Sequence, residues 1–510
     1  MATVLPKTNF GGNVPLTAKA FYVPANEQEV AQILERHRGQ RIRCMGRLHS
    51  WSQVLETSDT LVDLQNLNEV TPMDGDVPSA WIGAGCQIKR ALSELERIKQ
   101  WTLPSVGFIA EQTIAGAIST GTHGSGKNSL SHYVQAVRVA RYESTTGEVI
   151  IEEIDSPPDL EAMRCSLGSM GVILSVRMAC RSCYAIEEHF QEFDNLTPVI
   201  EAENEFPLQQ FFLVPWRWTF VAQHRRETDE RPSRSLRIYL WYRFLVFDIA
   251  MHLAILFALK VRSKSLIRGL FRSVIPLGVV HKWRVVGSSN TQLVMKHDLF
   301  RHVEMELFVQ GRHLESALRF VREVLTVAGT DDSAIEEVFR EQLSKTGCEA
   351  DLRALAGAYC HHYPICVRRV LVDATMISMT CEAEDEQSDD WYSISLINYH
   401  SLKESLSFER ISKLIARSMA DLFGARPHWG KVCPLPTSSL RELYPRFDEF
   451  KAVCQSKDPD GLFRNAWVND LLSDVRTDEE AEPPCLGASV RDCIPTREAS
   501  HKGTEAQSKC

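Results

Sequence analysis

Four short segments carry residue types that could do chemistry together. The first, Thr113-Ile-Ala-Gly-Ala-Ile-Ser-Thr-Gly-Thr-His-Gly-Ser-Gly126, holds four Gly and five Ser/Thr in fourteen residues. Such a stretch fills a core poorly, but it brings backbone N–H groups and hydroxyls close to a phosphate. An apolar approach, Leu103-Pro-Ser-Val-Gly-Phe-Ile, leads into it. It lacks the Gly-Lys-Ser/Thr of a P-loop and the GxGxxG spacing after a strand. The second segment, Gly46-Arg-Leu-His49-Ser50, is a turn that carries a lone imidazole. The third is Pro364-Ile-Cys366-Val-Arg368, where period-2 geometry sends Cys366 and Arg368 to one face of a strand. The fourth, Arg426-Pro-His-Trp-Gly-Lys431, lies just past the helix stop at Gly424, so it is a loop on a rigid support.

The rest of the chain must position these segments. Its 510 residues imply two or three domains. A composition of 44% hydrophobic and 24% charged residues is globular. The net charge of −9 excludes a broad nucleic-acid footprint. No secretory signal opens the sequence, and the 14 Cys lack the spacing of a small disulfide framework, which suits a reducing, intracellular setting. Cys180-Arg-Ser-Cys183 lacks partners for a zinc or redox role. Residues 1–16 read as an arm. Asn26 to Arg38 reads as a helix with a capping box at Asn26 and Glu29. Strands are expected at 42–45, 60–64, 80–83, 134–142 and after Gly171, with helices from Ile88 and near 159–165. Together these make an α+β unit over 17–185. A second unit, 186–473, should hold strands at 300–309, 365–372 and 392–399 and a long helix ending at Gly424. Glu304 and Glu306 read as a solvated strand edge, with a carboxylate for the site as the alternative. Residues 239–260 are apolar but interrupted by Arg243, Asp248 and His252; with Lys260, Arg262, Lys264 and Arg268 following, they read as a buried or membrane-surface helix more than a spanning one. The 474–510 tail is polar and expected to be disordered.

The Gly-rich stretch with its approach resembles the FAD-binding domain of the vanillyl-alcohol oxidase (PCMH-type) flavoproteins. More narrowly, the chain resembles the aldonolactone oxidases, the group of L-gulonolactone and D-arabinono-1,4-lactone oxidase, with alditol oxidase as a cousin. The Arg426–Lys431 loop, Tyr444-Pro-Arg-Phe-Asp-Glu-Phe450 and Lys457-Asp-Pro-Asp-Gly-Leu-Phe463 carry the same resemblance at the C-terminal end. It implies an α+β fold: a PCMH-type FAD-binding domain of two subdomains, then a cap domain with an antiparallel sheet.

The resemblance also implies roles. His49 would be bonded to the flavin 8α-methyl, although Leu48 stands where relatives have a second Gly. Gly46, Arg47 and Ser50 would contact the pyrophosphate. Pro104, Ser105, Gly107, Thr113, Gly116, Ala117, Ser119, Thr120, Thr122, His123 and Gly124 would wall the cofactor, Gly168, Gly171, Val172 and Ile173 would face its adenosine half, and His428 would stand at the flavin. Lys431 and Arg368 would stabilise charge at the reacting centre. Cys366 occupies the place of a family carboxylate, and Asn398 matches a substrate contact. The expected reaction oxidises the C2 hydroxyl of an aldono-1,4-lactone, with O₂ as acceptor giving H₂O₂, or another acceptor if the enzyme is a dehydrogenase. Another polyol, or a catalytically weak membrane-associated flavin protein, is the alternative. No metal is expected: the adjacent His residues of Cys360-His-His-Tyr-Pro-Ile-Cys366 point to opposite faces of a strand. Relatives place the protein on internal membranes (endoplasmic reticulum or mitochondrion) or in the cytoplasm. Ser508-Lys-Cys510 resembles a peroxisomal signal without its Leu.

Overall fold

The helix Glu27–Arg36 begins where its capping chemistry predicts. The Asn26 side chain accepts from the Glu29 backbone N–H at 2.9 Å, and the Glu29 carboxylate accepts from the Ala25 N–H at 2.8 Å. Val30, Ile33 and Leu34 form its buried face. The computed structural model describes residues 5–6, 8–295, 299–330, 337–383, 389–399 and 402–473. The 474–510 tail, with its Ser508–Cys510 end, lies outside them.

The first unit is built on two sheets. A parallel three-stranded sheet orders β1 (Ala20–Tyr22), β3 (Thr60–Asp63) and β2 (Ile42–Met45) with β3 central. An antiparallel five-stranded sheet runs β4 (Val70–Met73), β5 (Ser79–Gly83), β8 (Val172–Ala179), β6 (Val134–Tyr142), β7 (Val149–Ile154). The Gly-rich stretch lies between them and contains a single short helix, Ile114–Ser119.

The second unit is one antiparallel eight-stranded sheet. Its order is β12 (Val285–Ser288), β9 (Ala185–Phe193), β11 (Phe220–Thr228), β10 (Gln210–Leu213), β14 (Ile365–Val370), β15 (Trp391–Tyr399), β13 (His302–Gln310), β16 (Arg426–Pro427). Helices Leu314–Gly329 and Leu402–Phe423 pack against β13, and the second of them also against β15. The two-residue strand β16 matters most for function, because it covers the edge of β13. Glu304 and Glu306 are therefore buried, not a solvated edge. Their alternation placed them on a strand correctly, but alternation cannot say what lies over the strand.

Two further expectations change. Residues 8–16 are not a free arm: Asn9 donates to the Ser50 carbonyl at 2.8 Å and Phe10 stacks on His49. The C-terminal part of the second unit returns to the first, where Ile42 N–H donates to the Leu462 carbonyl at 2.8 Å and Asn465 to that of Gln53 at 2.7 Å.

A helical hairpin, Leu236–Lys260 followed by helical turns over 264–277, lies on the β9–β12 end of the large sheet. It is tied there by a buried ion cluster. Glu188 of β9 is bonded to Arg225 at 2.6 Å, to Arg243 at 3.2 Å and to the Tyr239 hydroxyl. Burial alone would push the Glu188 carboxyl up; Arg243 and Arg225 outweigh it and hold it down. Glu188→Gln leaves both guanidiniums without their anion, and the variant is expected to lose about 3 kcal/mol of stability, read as a lowered thermal midpoint.

Candidate active site

The turn after β2 demands an unusual backbone. Leu48 has φ of +60°, the left-handed region that Gly takes without cost. Leu48 thus takes a conformation that suits Gly, and its carbonyl accepts from the Phe10 N–H at 2.9 Å. Gly46 is required by closeness: a Cβ there would stand 2.2 Å from the Thr113 hydroxyl oxygen. The His49 turn and the Gly-rich stretch thus touch, and they open onto one cleft. Gly46, Arg47, His49, Ser50, Thr113, Gly116, Ser119, Thr120, Gly168, Gly171, Ile173, His428 and Lys431 all line it. Trp51 N–H donates to the Gly430 carbonyl at 2.8 Å, so the two distant His motifs are joined directly.

His49 is largely buried, with its ring 4.9 Å from that of Phe10 and 27° from parallel. Burial lowers its pKa to about 4, so the imidazole is neutral at physiological pH and keeps a lone pair. Arg43 organises the far end of the cleft. Its guanidinium donates to the carbonyls of Gly168, Leu167, Val54 and Phe463, at 2.6 to 2.9 Å. Burial lowers its pKa to about 10, still a cation at pH 7.

The His428–Lys431 loop that lines the cleft hangs on β13 of the large sheet, the His428 N–H donating to the Glu306 carbonyl at 2.9 Å. In register, Cys366 lies beside Ser395, and Ser395 beside Glu306. The three side chains share a face with Arg368, two residues from Cys366. Arg368 brings its guanidinium to 3.9 Å from the Glu306 carboxylate and donates to Gln210 at 3.0 Å. The carboxylate of this face therefore comes from β13, not β14. Cys366 is a buried thiol whose pKa burial raises, which suits it poorly to the proton-accepting part of the carboxylate it replaces.

Glu306 is the electrostatic centre. Its carboxylate lies 3.2 Å from His123 Nε2, and His123 Nδ1 lies 3.0 Å from the Gly124 carbonyl. Both ring nitrogens thus face oxygen atoms. Burial would push the Glu306 carboxyl up; His123, with His428 and Lys431, instead holds it well below the usual carboxylate range. His123, Glu306 and His428 offer ligand atoms within 4.8 Å of one another, the spacing of a metal site. His428 Nδ1, however, already accepts from the Gly430 N–H at 2.9 Å, so its neutral ring carries the proton on Nε2 and lacks a free lone pair. Lys431 pairs with Glu304 and sits 4.5 Å over the Trp51 ring.

A second cavity lies between the two units. Pro104, Ser105, Gly124, Gln210, Arg225 and Arg368 line it, and the Ser105 hydroxyl there is buried without a hydrogen-bond partner.

Comparison with known proteins decides what this arrangement belongs to. The family profile described as D-arabinono-1,4-lactone oxidase matches residues 179–471, and that of an FAD-binding domain matches 18–150. The chain belongs to the D-arabinono-1,4-lactone oxidase family. It is 51% identical to a long-chain alcohol oxidase from an uncultured marine euryarchaeote, over 92% of this chain and 98% of that one. It is 24% identical to an L-gulono-1,4-lactone dehydrogenase of Mycobacterium tuberculosis, over 91% and 98%. A cholesterol oxidase structure from B. sterolicum superposes with a TM-score of 0.67 at 15% identity, covering 88% and 93%, which shows a shared PCMH-type fold. The protein is an FAD-dependent oxidoreductase of CH–OH groups. Its residues fit the cofactor on their own evidence: the Gly46 approach leaves no room for a side chain, and Arg43 fixes the Gly168 turn against the cleft.

Several expected residues lie apart from these cavities. Asn398 is one position out of phase with Cys366 and Ser395, so it faces the opposite side of the sheet, where it bonds Tyr359 and the Tyr399 carbonyl. Its expected substrate contact is corrected by strand parity. Ala117 and Val172 are buried in the core. Gly107 and Thr122 pack on one another, since a Cβ on Gly107 would meet Thr122 at 2.5 Å. Arg43 and Phe10 escaped the sequence reading, and Glu306 entered it only as the less favoured alternative to a solvated strand edge. The one available signal was the pair of carboxylates at period 2 in β13.

Two outcomes follow from this geometry. Gly46→Ala is expected to purify with less than about a tenth of the wild-type flavin per chain, read from its visible absorbance. Glu306→Gln is expected to cost about 3 kcal/mol at pH 7 in thermal unfolding. Because the folded pKa is depressed, that deficit should shrink as pH falls below about 4.3, where wild type loses the same contribution.

Proposed function

We propose that the protein oxidises the carbinol carbon of a long-chain, apolar alcohol to the carbonyl. The observation that carries the reaction type is the charged cluster formed by Arg368 and Glu306 of the large sheet with Lys431 of the loop beyond β16, which lines the same cleft as the His49 turn. The substrate class rests on the 51% relative, since the L-gulonolactone oxidases and dehydrogenase are only 22–24% identical and the 34% match to a putative D-arabinono-1,4-lactone oxidase covers only a third of this chain. The exchange of the family carboxylate for Cys366 supports a substrate that differs from theirs.

When bound, FAD accepts the hydride from the carbinol carbon. The chain's own residues do the rest. Arg368 and Lys431 face the region where the alcohol oxygen gains negative charge, and fixed cations in a water-poor site stabilise it far better than solvent does. The Ser105 hydroxyl is free to orient the substrate hydroxyl. Glu306, already ionised and clamped, holds Arg368 and His123 in place. His49, neutral at working pH, is the residue for covalent attachment to the flavin. In sum, RCH₂OH and O₂ give RCHO and H₂O₂: the alcohol loses a hydride and a proton, and O₂ gains two electrons and two protons.

A second reading keeps the aldono-1,4-lactone C2 hydroxyl as the target. The family match over 179–471 and the His428–Lys431 motif favour it. Peroxide release from 1-dodecanol and 1-hexadecanol, compared with L-gulono-, L-galactono- and D-arabinono-1,4-lactone, separates the two. Faster turnover of the alcohols is expected; turnover of lactones alone would overturn the proposal. A dye acceptor in place of O₂ identifies a dehydrogenase. Lys431→Ala should lower kcat/KM about 100-fold. After acid precipitation the flavin should stay with wild-type protein and be released from His49→Ala.

A further inference from the structure

The helical hairpin over 236–277 presents an apolar surface that none of the described residues covers. Leu236–Lys260 is long and apolar enough to cross a membrane by length and composition, yet its most apolar part is only 11% buried. Ile238, Trp241, Leu245, Leu253 and Phe257 point outward, with Trp241 63% and Phe257 61% exposed. Their spacing is mostly four residues, which forms one stripe because Phe244–Met251 widens into π-helical turns. Leu266, Val274 and Leu277 continue the surface on the second arm, with Leu277 84% exposed. The inward stripe is different: Tyr239, Ile255, Ala258, Ile267 and Phe271 are buried against the cap.

Charge tells what the outward surface fits. Between residues 231 and 284 there are eleven Lys and Arg and one acid, Asp248, in a chain whose net charge is −9. Arg234, Arg237, Lys260, Arg262 and Lys282 are exposed at the margins of the apolar stripe. An apolar face rimmed by cations, with Trp and Phe among its exposed residues, matches the boundary between acyl chains and anionic headgroups.

The anchoring decides orientation. Tyr239 and Arg243 bond Glu188, His252 bonds the Tyr399 hydroxyl, and Arg268 and Arg272 bond the carbonyls of Gly329 at 2.9 Å and Trp216 at 3.1 Å. These bonds run along the whole hairpin, so it lies flat against the cap sheet and cannot cross a bilayer without breaking them.

From this surface we infer that the hairpin docks the enzyme flat on a lipid bilayer containing anionic headgroups. The inference is independent of the substrate reading. It also places the membrane beside the chemistry, because Arg225, the partner of Glu188, lines the second cavity of the site.

Vesicle flotation of the holoenzyme tests it. Wild type should float with vesicles of phosphatidylcholine and phosphatidylserine, float several-fold less with phosphatidylcholine alone, and be released by high salt or alkaline carbonate. The variant Trp241→Glu/Phe257→Glu/Leu277→Glu should lose at least tenfold in floated fraction while keeping its flavin spectrum and thermal midpoint. Arg237→Glu/Arg262→Glu should lose the preference for phosphatidylserine. Absence of flotation would overturn the inference. So would carbonate resistance, which marks a spanning helix, and so would a vesicle-free dimer that the triple variant splits, which marks a second copy as the occupant.

Discussion

A carboxylate buried away from water must be held by hydrogen-bond donors and cations, and Glu306 draws its partners from both halves of the molecule. His123 comes from the Gly-rich stretch of the first unit; Arg368 and Lys431 come from the second. Neither unit alone completes the set. Leaving such a carboxylate unpaired costs several kcal/mol, so the closed arrangement of the two units is an electrostatic requirement as much as a packing one. The same cluster fixes the groups that bound the reaction space, which ties stability and chemistry to one residue.

The cap sheet carries two ionic centres at opposite ends. Glu306 lies on β13 near the β16 edge, against His123 of the Gly-rich stretch, whereas Glu188 on β9 ties the hairpin to the sheet. Arg225 links the second centre to the site, since it pairs with Glu188 and lines the cavity that Ser105 and Arg368 share. The enzyme thus has a chemical wall and an anchoring end on a single sheet, with strands β11, β10, β14 and β15 between Glu188 and Glu306. An apolar alcohol that partitions into lipid would meet the site from the anchoring side.

Much of this was legible in the sequence, for identifiable reasons. Strands β2 and β6 were placed to the residue, because their apolar runs end at a Gly turn or a charged pair. The capping box of the first helix and the Gly424 stop, with φ of +61°, are local chemistry and read directly. The cofactor cleft was legible because its wall is concentrated in two short segments. What escaped depended on neighbours distant in sequence. Glu306 looked solvated because a two-residue strand, Arg426–Pro427, covers its edge. Asn398 was assigned to the wrong face because one residue of register inverts a strand. Phe10 and Arg43 act through contacts that no periodicity announces.

The most direct measurement is anaerobic mixing of the holoenzyme with 1-dodecanol, with and without deuterium on the carbinol carbon. If the cluster of Arg368, Glu306 and Lys431 serves hydride removal from an apolar alcohol, the oxidised flavin band bleaches in a single turnover. Deuterium should slow that bleaching, and Lys431→Ala should slow it further while flavin content stays unchanged. A flavin that stays oxidised with the alcohol yet bleaches with an aldono-1,4-lactone would contradict it.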